Sequence, residues 1–101
     1  MIAQFSVIPL GTGTSVSGKV AEVIRIVDKS GLDYRLGPMG TVVEGDLDKV
    51  LDLIRKCHNA VLANTDRVYT TISIDDRKGY TQRMTKKVES VERKAGITLK
   101  K

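Results

Sequence analysis

The order in which apolar spacing changes along the chain constrains its fold more than any other feature. Ile2 to Pro9 runs with a period of two, Ala3, Phe5 and Val7 on one side and Gln4 and Ser6 on the other. That is a strand with one buried face. A helical stripe follows in Val16, Val20, Val23, Ile24 and Val27, with Glu22, Arg25 and Lys29 turned away. Ser15 or Ser17 is placed to cap this helix, and Gly31 to end it in a left-handed conformation. Tyr34 to Leu36, the turn Gly37-Pro38-Met39-Gly40, and Thr41 to Glu44 read as a hairpin. Asp46 is the expected cap of a second helix, with an apolar stripe of Leu47, Val50, Leu51, Ile54, His58 and Val61. Arg67 to Asp75 alternates most regularly: Val68, Thr70, Ile72 and Ile74 against Tyr69, Thr71, Ser73 and Asp75. A third helix is expected from a Thr81 cap to near Gly96, with a narrow stripe of Met84, Val88, Val91 and Ala95.

Strand, helix, strand, strand, helix, strand is two crossovers around a central hairpin. This predicts an α+β, ferredoxin-like βαββαβ antiparallel sheet, strand order 4-1-3-2, plus a C-terminal helix, with residues 1–101 as a single domain. Both long helices then pack on one sheet face. The other face holds Gln4, Ser6, Ile8, Tyr69, Thr71 and Ser73, too apolar to be simply wet and too polar for a core. Pairing of two subunits through these faces would cover it, so self-association as a homodimer, extendable to a homotetramer, is expected. The narrow third stripe also resembles a seam more than a core face.

A chain of 101 residues has room for one core. No apolar run reaches the ~20 residues that span a bilayer, so no membrane partner is expected. No basic stretch precedes the first strand, and Cys57 is the only cysteine, which excludes an internal disulfide and a multi-cysteine metal site. The expected location is cytoplasmic. The net charge of +5 is unevenly spread: residues 77–101 hold nine basic and two acidic side chains, and residues 1–76 eight basic and ten acidic. The basic end reads as a solvated helix face rather than a nucleic-acid or lipid contact.

Gly13-Thr14-Ser15-Val16-Ser17-Gly18-Lys19-Val20 matches a phosphate-binding loop up to its last position, where Val20 replaces the hydroxyl that would hold magnesium. In an antiparallel sheet Asp75 also lies at the opposite end from this loop, whereas nucleotide-hydrolysing folds need the carboxylate beside it. The dinucleotide fingerprint fails at Val16. Thr12, Thr14 and Ser15 remain reasonable contacts for polar ligand groups at a helix start. His58 reads as a satisfied core histidine and Cys57 as a partly buried small hydrophobe; pointing about 100° apart on a helix, they cannot share a metal. No metal site and no cofactor are expected. Nothing assembles a nucleophile, a base and an oxyanion donor, so no enzyme is expected. An acyl-phosphate hydrolase of this topology would need an arginine in the loop after the first strand, and Gly11–Ser15 has none. The central strands lack the aromatics on which RNA bases stack, which disfavours nucleic acid as a partner.

The topology gathers Thr12, Ser15, Met39, Thr41, Arg67 and Tyr69 at one sheet edge. Glu44 lies deeper, with Ser6 and Gln4 nearby. A buried carboxylate needs a partner, which for Glu44 would be Arg67, Arg35, another subunit or a ligand amine.

The segments FSVIPLGTGTSVSGKV, GPMGTVVEGDLDKVL, CHNAVL and DRVYTTISIDDR, within a match from Ile2 to about Ala95, resemble the small thiamine-binding protein family. The resemblance implies a ferredoxin-like subunit that pairs through its sheet, often as a tetramer, and binds thiamine or its hydroxymethylpyrimidine half without converting it. On that reading the ligand contacts are Gln4, Ser6, Thr12, Ser15, Met39, Thr41, Glu44, Arg67 and Tyr69. Glu44 or Gln4 would face the aminopyrimidine, Glu44 or Tyr69 the thiazolium cation, and Thr12, Ser15 or Thr41 the hydroxyethyl arm. The alternative expectation is an oligomeric regulatory or scaffolding subunit without thiamine affinity.

Overall fold

The computed structural model describes residues 1–11, 17–79 and 81–100. Their elements run in order as β1 (Ile2–Leu10), α1 (Ser17–Lys29), β2 (Asp33–Leu36), β3 (Thr41–Glu44), α2 (Leu47–Leu62), β4 (Arg67–Asp75) and α3 (Arg83–Ala95). The strands form one sheet ordered β2-β3-β1-β4, every neighbouring pair antiparallel. This is the expected strand order read from the other edge, and the fold is ferredoxin-like α+β. No described helix is long and apolar enough to cross a membrane.

The core lies between the sheet and the pair α1–α2. Ala3, Phe5 and Val7 of β1 and Val43 of β3 meet Val23 and Val27 of α1 and Val50, Leu53, Ile54, Cys57 and Val61 of α2. The period-two pattern of β1 therefore sends its odd residues inward. Met1 and Gly45 exchange both main-chain hydrogen bonds, at 2.9 and 3.0 Å. Since ladder bonds alternate sides along a strand, odd residues of β1 bond toward β3 and even ones toward β4. Gly31, at φ 77°, ends α1 as expected.

Two expectations need correction. The buried stripe of α2 is rotated toward α1: Leu53 and Cys57 are buried, while Leu47 and Leu51 are 43% and 39% exposed. The physical reason is that α2 packs beside α1 on one flank, where Cys57 Sγ approaches the Val23 carbonyl at 4.0 Å. Its other flank faces β4, which is the edge strand of the sheet. His58 lies on that flank, half-buried, its Nδ1 sharing a 2.8 Å hydrogen bond with Thr70 Oγ1. The helix caps also differ. Asp46 makes no side-chain capping bond, and the cap position of α3 is Gln82, left-handed at φ 57°, rather than Thr81. Its capping acceptor comes instead from β3, as described below.

Candidate functional site

The face of the sheet away from α1 and α2 is arranged in rows fixed by the strand register. Asp33, Glu44, Ile2 and Asp75 form the first row, and Arg35, Val42, Gln4 and Ser73 the second. Beyond them β3 has ended, and β1 and β4 continue as Ser6–Thr71, Ile8–Tyr69 and Leu10–Arg67. Ser6 and Thr71 hydroxyls share a 2.8 Å hydrogen bond across the strands. The expected helix-free face is therefore present with the residues expected on it.

Glu44 does not stand free in this face. Its Oε2 accepts the Arg83 N–H at 2.6 Å and its Oε1 the Met84 N–H at 3.3 Å. Both are first-turn donors of α3 that no residue of α3 can satisfy, and a carboxylate there also complements the helix dipole. These donors lie within the chain, and neither is the Arg67 or Arg35 expected for Glu44. On the same row Asp75 is ion-paired with Lys87 of α3. That hydrogen bond and charge, with Arg83 and Arg77 nearby, hold the Asp75 carboxyl below its ordinary range. Two carboxylates thus fasten the start of the basic helix to the first row.

The remaining residues separate into groups. Thr41 is buried on the helix side, paired with Phe5. It lines a cavity of about 250 Å³ together with Ser6, Met39, the apolar start of α1 (Val20, Val23 and Ile24) and the β2–β3 turn. This cavity exists because β3 partners β1 only as far as Phe5, leaving a notch beside the second half of β1. Gly40 permits the close approach of turn and strand: a Cβ there would stand 3.0 Å from the Phe5 carbonyl oxygen and 3.4 Å from Gln4 Nε2. Gln4 in turn lines a second cavity of about 250 Å³ with Ile2, Val42, Ser73 and Asp75. Tyr69 and Arg67 are exposed on the far rows of the same face. Thr12 and Ser15 lie outside the described residues.

Gln4, Ser6, Met39 and Thr41 are therefore neighbours around the Gly40 turn, Tyr69 and Arg67 extend one side of the face, and Glu44 sits at its other end. Ser73 and Asp75, which line the second cavity, were absent from the expected contacts. The alternation of β4 already placed them on the face with Gln4. Among the described residues no group of three or more His, Cys, Asp or Glu side chains is placed to hold a metal ion.

Comparison with known proteins bears on this arrangement. The UPF0045 protein of Methanothermobacter thermautotrophicus is 44% identical over 95 residues, covering 91% of this chain and 96% of its own. The Bacillus subtilis UPF0045 protein YqgV is 38% identical over 98 residues, covering 91% and 92%. The crystal structure of the hypothetical protein MJ1052 of Methanocaldococcus jannaschii superposes with a TM-score of 0.83 at 39% identity, over 89% of this chain and 93% of that one. The model of the family described as thiamine-binding protein matches residues 3–92, from the first core residue of β1 into α3. The chain belongs to the thiamine-binding protein family.

Proposed function

We propose that the protein binds thiamine or a related hydroxymethylpyrimidine without converting it, in a slot closed when two subunits lay their helix-free faces together as a cytoplasmic homo-oligomer. The observation that carries this reading is the Gln4 side chain standing between two cavities, beside Gly40 of one and lining the other, in a chain of this family. A carboxamide offers a donor and an acceptor side by side, the complement of an aminopyrimidine edge. The Asp75 carboxylate at the end of the second cavity and the exposed Tyr69 ring suit a thiazolium cation. Ser6, and Thr12 or Ser15, suit the hydroxyethyl arm. Met39, 84% exposed, and Arg67 would be covered by the second subunit. Glu44 accepts the first-turn amides of α3, and the remaining lone pairs of its two oxygens would face the ligand amine. Absence of conversion is supported by the placement of the two reactive side chains: Cys57 is buried in the core and His58 is tied to Thr70 on the helix side.

Titration calorimetry with thiamine and with hydroxymethylpyrimidine tests the reading. Saturable heat is expected, weakened about tenfold or more in Gln4→Ala, the loss of one buried hydrogen-bonded contact. Ligand recovered afterwards is expected unchanged by NMR. No heat at millimolar ligand, with the folded oligomer confirmed, overturns it.

A further inference from the structure

The basic C-terminal helix presents a surface of its own, apart from the helix-free sheet face. Residues 77–101 carry nine basic and two acidic side chains. A sum of charges by itself describes a solvated surface, but α3 sorts these charges. At about 100° per residue, Arg83, Lys86, Lys87, Arg93 and Lys94 all fall within an arc of about 120°, with Ser90 the one other residue in it. Glu89 and Glu92 lie outside the arc, and Glu92 is turned to the returning tail, where its Oε2 accepts the Leu99 N–H at 2.8 Å. Lys86, Arg93 and Lys94 are exposed, and among the described residues no ion pair holds them. The start of the helix is fastened to the sheet by Glu44 and by the Asp75–Lys87 pair, so the arc is presented in a fixed orientation.

We propose that this arc binds the phosphodiester backbone of double-stranded nucleic acid without reading its sequence. The charge spacing is complementary. Arg83 to Lys94 covers about 16 Å of helix axis at ~1.5 Å per residue, and one strand of a duplex sets a phosphate every ~3.4 Å, so the arc lies along about five phosphates. The apolar stripe decides against a bilayer. A helix lying in a membrane interface buries its apolar sector with cations beside it. Met84, Val88, Val91 and Ala95 centre about 130° from the basic arc, and Met84 and Val88 are half-buried against the chain itself. A flat anionic surface cannot take both sectors at once, whereas a phosphate backbone takes the cations alone. The aromatics missing from the central strands serve to stack unpaired bases, which backbone contact does not require. A second subunit covering the apolar stripe would leave the arc open.

Fluorescence anisotropy with two labelled DNA duplexes of unrelated sequence tests this on the full chain. Both are expected to bind with similar affinity. With Lys86, Arg93 and Lys94 each displacing one counterion, log Kobs is expected to fall against log salt with a slope of about −2.7, roughly fortyfold between about 50 and 200 mM. Lys86→Gln, Arg93→Gln and Lys94→Gln together are expected to weaken binding tenfold or more and to remove most of that slope. The fold should be kept, since α3 holds no buried residue, and circular dichroism checks it. Removing the same charge elsewhere, by Lys29→Gln, Lys49→Gln and Lys56→Gln, is expected to leave affinity and slope unchanged. Thiamine calorimetry is expected to match between the α3 variant and the wild type, which separates this surface from the ligand slot. The proposal is overturned if neither duplex binds at about 50 mM salt, if the two charge-removal variants lose binding equally, or if phosphatidylserine vesicles capture the chain and duplex does not.

Discussion

Glu44 and Cys57 show how far a side chain's neighbours can redirect its expected part. Glu44 reads in the sequence as a carboxylate awaiting a cation, and the structure spends it on two main-chain donors of α3. Glu44→Ala is expected to cost about 1 kcal/mol, as loss of a helix cap does. Amide exchange should quicken at the start of α3 while β1 and β4 keep their protection; Glu44→Gln, retaining one acceptor oxygen, should lose less. Cys57 is fully buried, not partly as expected, and burial pushes its thiol up from 9.0 to about 11. The folded chain therefore holds this proton more tightly than the unfolded one. Its contribution is complete below pH 9 and is lost as pH rises from 9 towards 11, at about 1.4 kcal/mol per pH unit. Urea unfolding of the wild type against Cys57→Ala at pH 8 and pH 10 isolates that loss, and the folded thiol should resist alkylation at pH 8.

At the scale of elements, strands were more legible than helix faces. β4 spans Arg67–Asp75 as its alternation indicates, and β1 extends one residue past the expected Pro9. A period of two leaves two choices of face, and the apolar set decides between them. A helix offers a broader stripe with a free rotation. On α2 the positions Val50, Ile54 and Val61 are common to the expected and observed stripes, but Leu51 and Leu53 are equally apolar candidates for its flank. Only the neighbour α1 on one side and the open edge of β4 on the other choose Leu53. Leu53→Ala is accordingly expected to cost about 2–5 kcal/mol and Leu51→Ala under about 1 kcal/mol in denaturant unfolding of the dilute chain, the contrast between core and half-exposed leucines.

For the whole molecule, the radius of gyration is 15.0 Å and the extents are 46 × 28 × 20 Å, against about 13 Å for a compact chain of this length. The excess agrees with α3, which holds no buried residue and meets the sheet at β3 through its Glu44 and Asp75 anchors. The helix-free sheet face, the outer edge of β4 and α3 carry exposed apolar side chains, among them Ile8, Tyr69, Ile72, Ile74 and Val91. What the sequence determined by itself was the succession of elements, the strand order and the residues of each sheet face, including Gln4, Ser6 and Tyr69. These follow from periodicity and turn chemistry, which act over a few residues. Tertiary structure alone decided that Glu44 caps a helix 39 residues away, that Thr41 faces the core while Ser6 faces outward across the same cavity, and that β3 stops short to open the notch beside β1. Each depends on which distant atoms meet, and hydrogen-bond geometry and packing, being short-ranged in space but blind to chain separation, leave no periodic trace in the sequence.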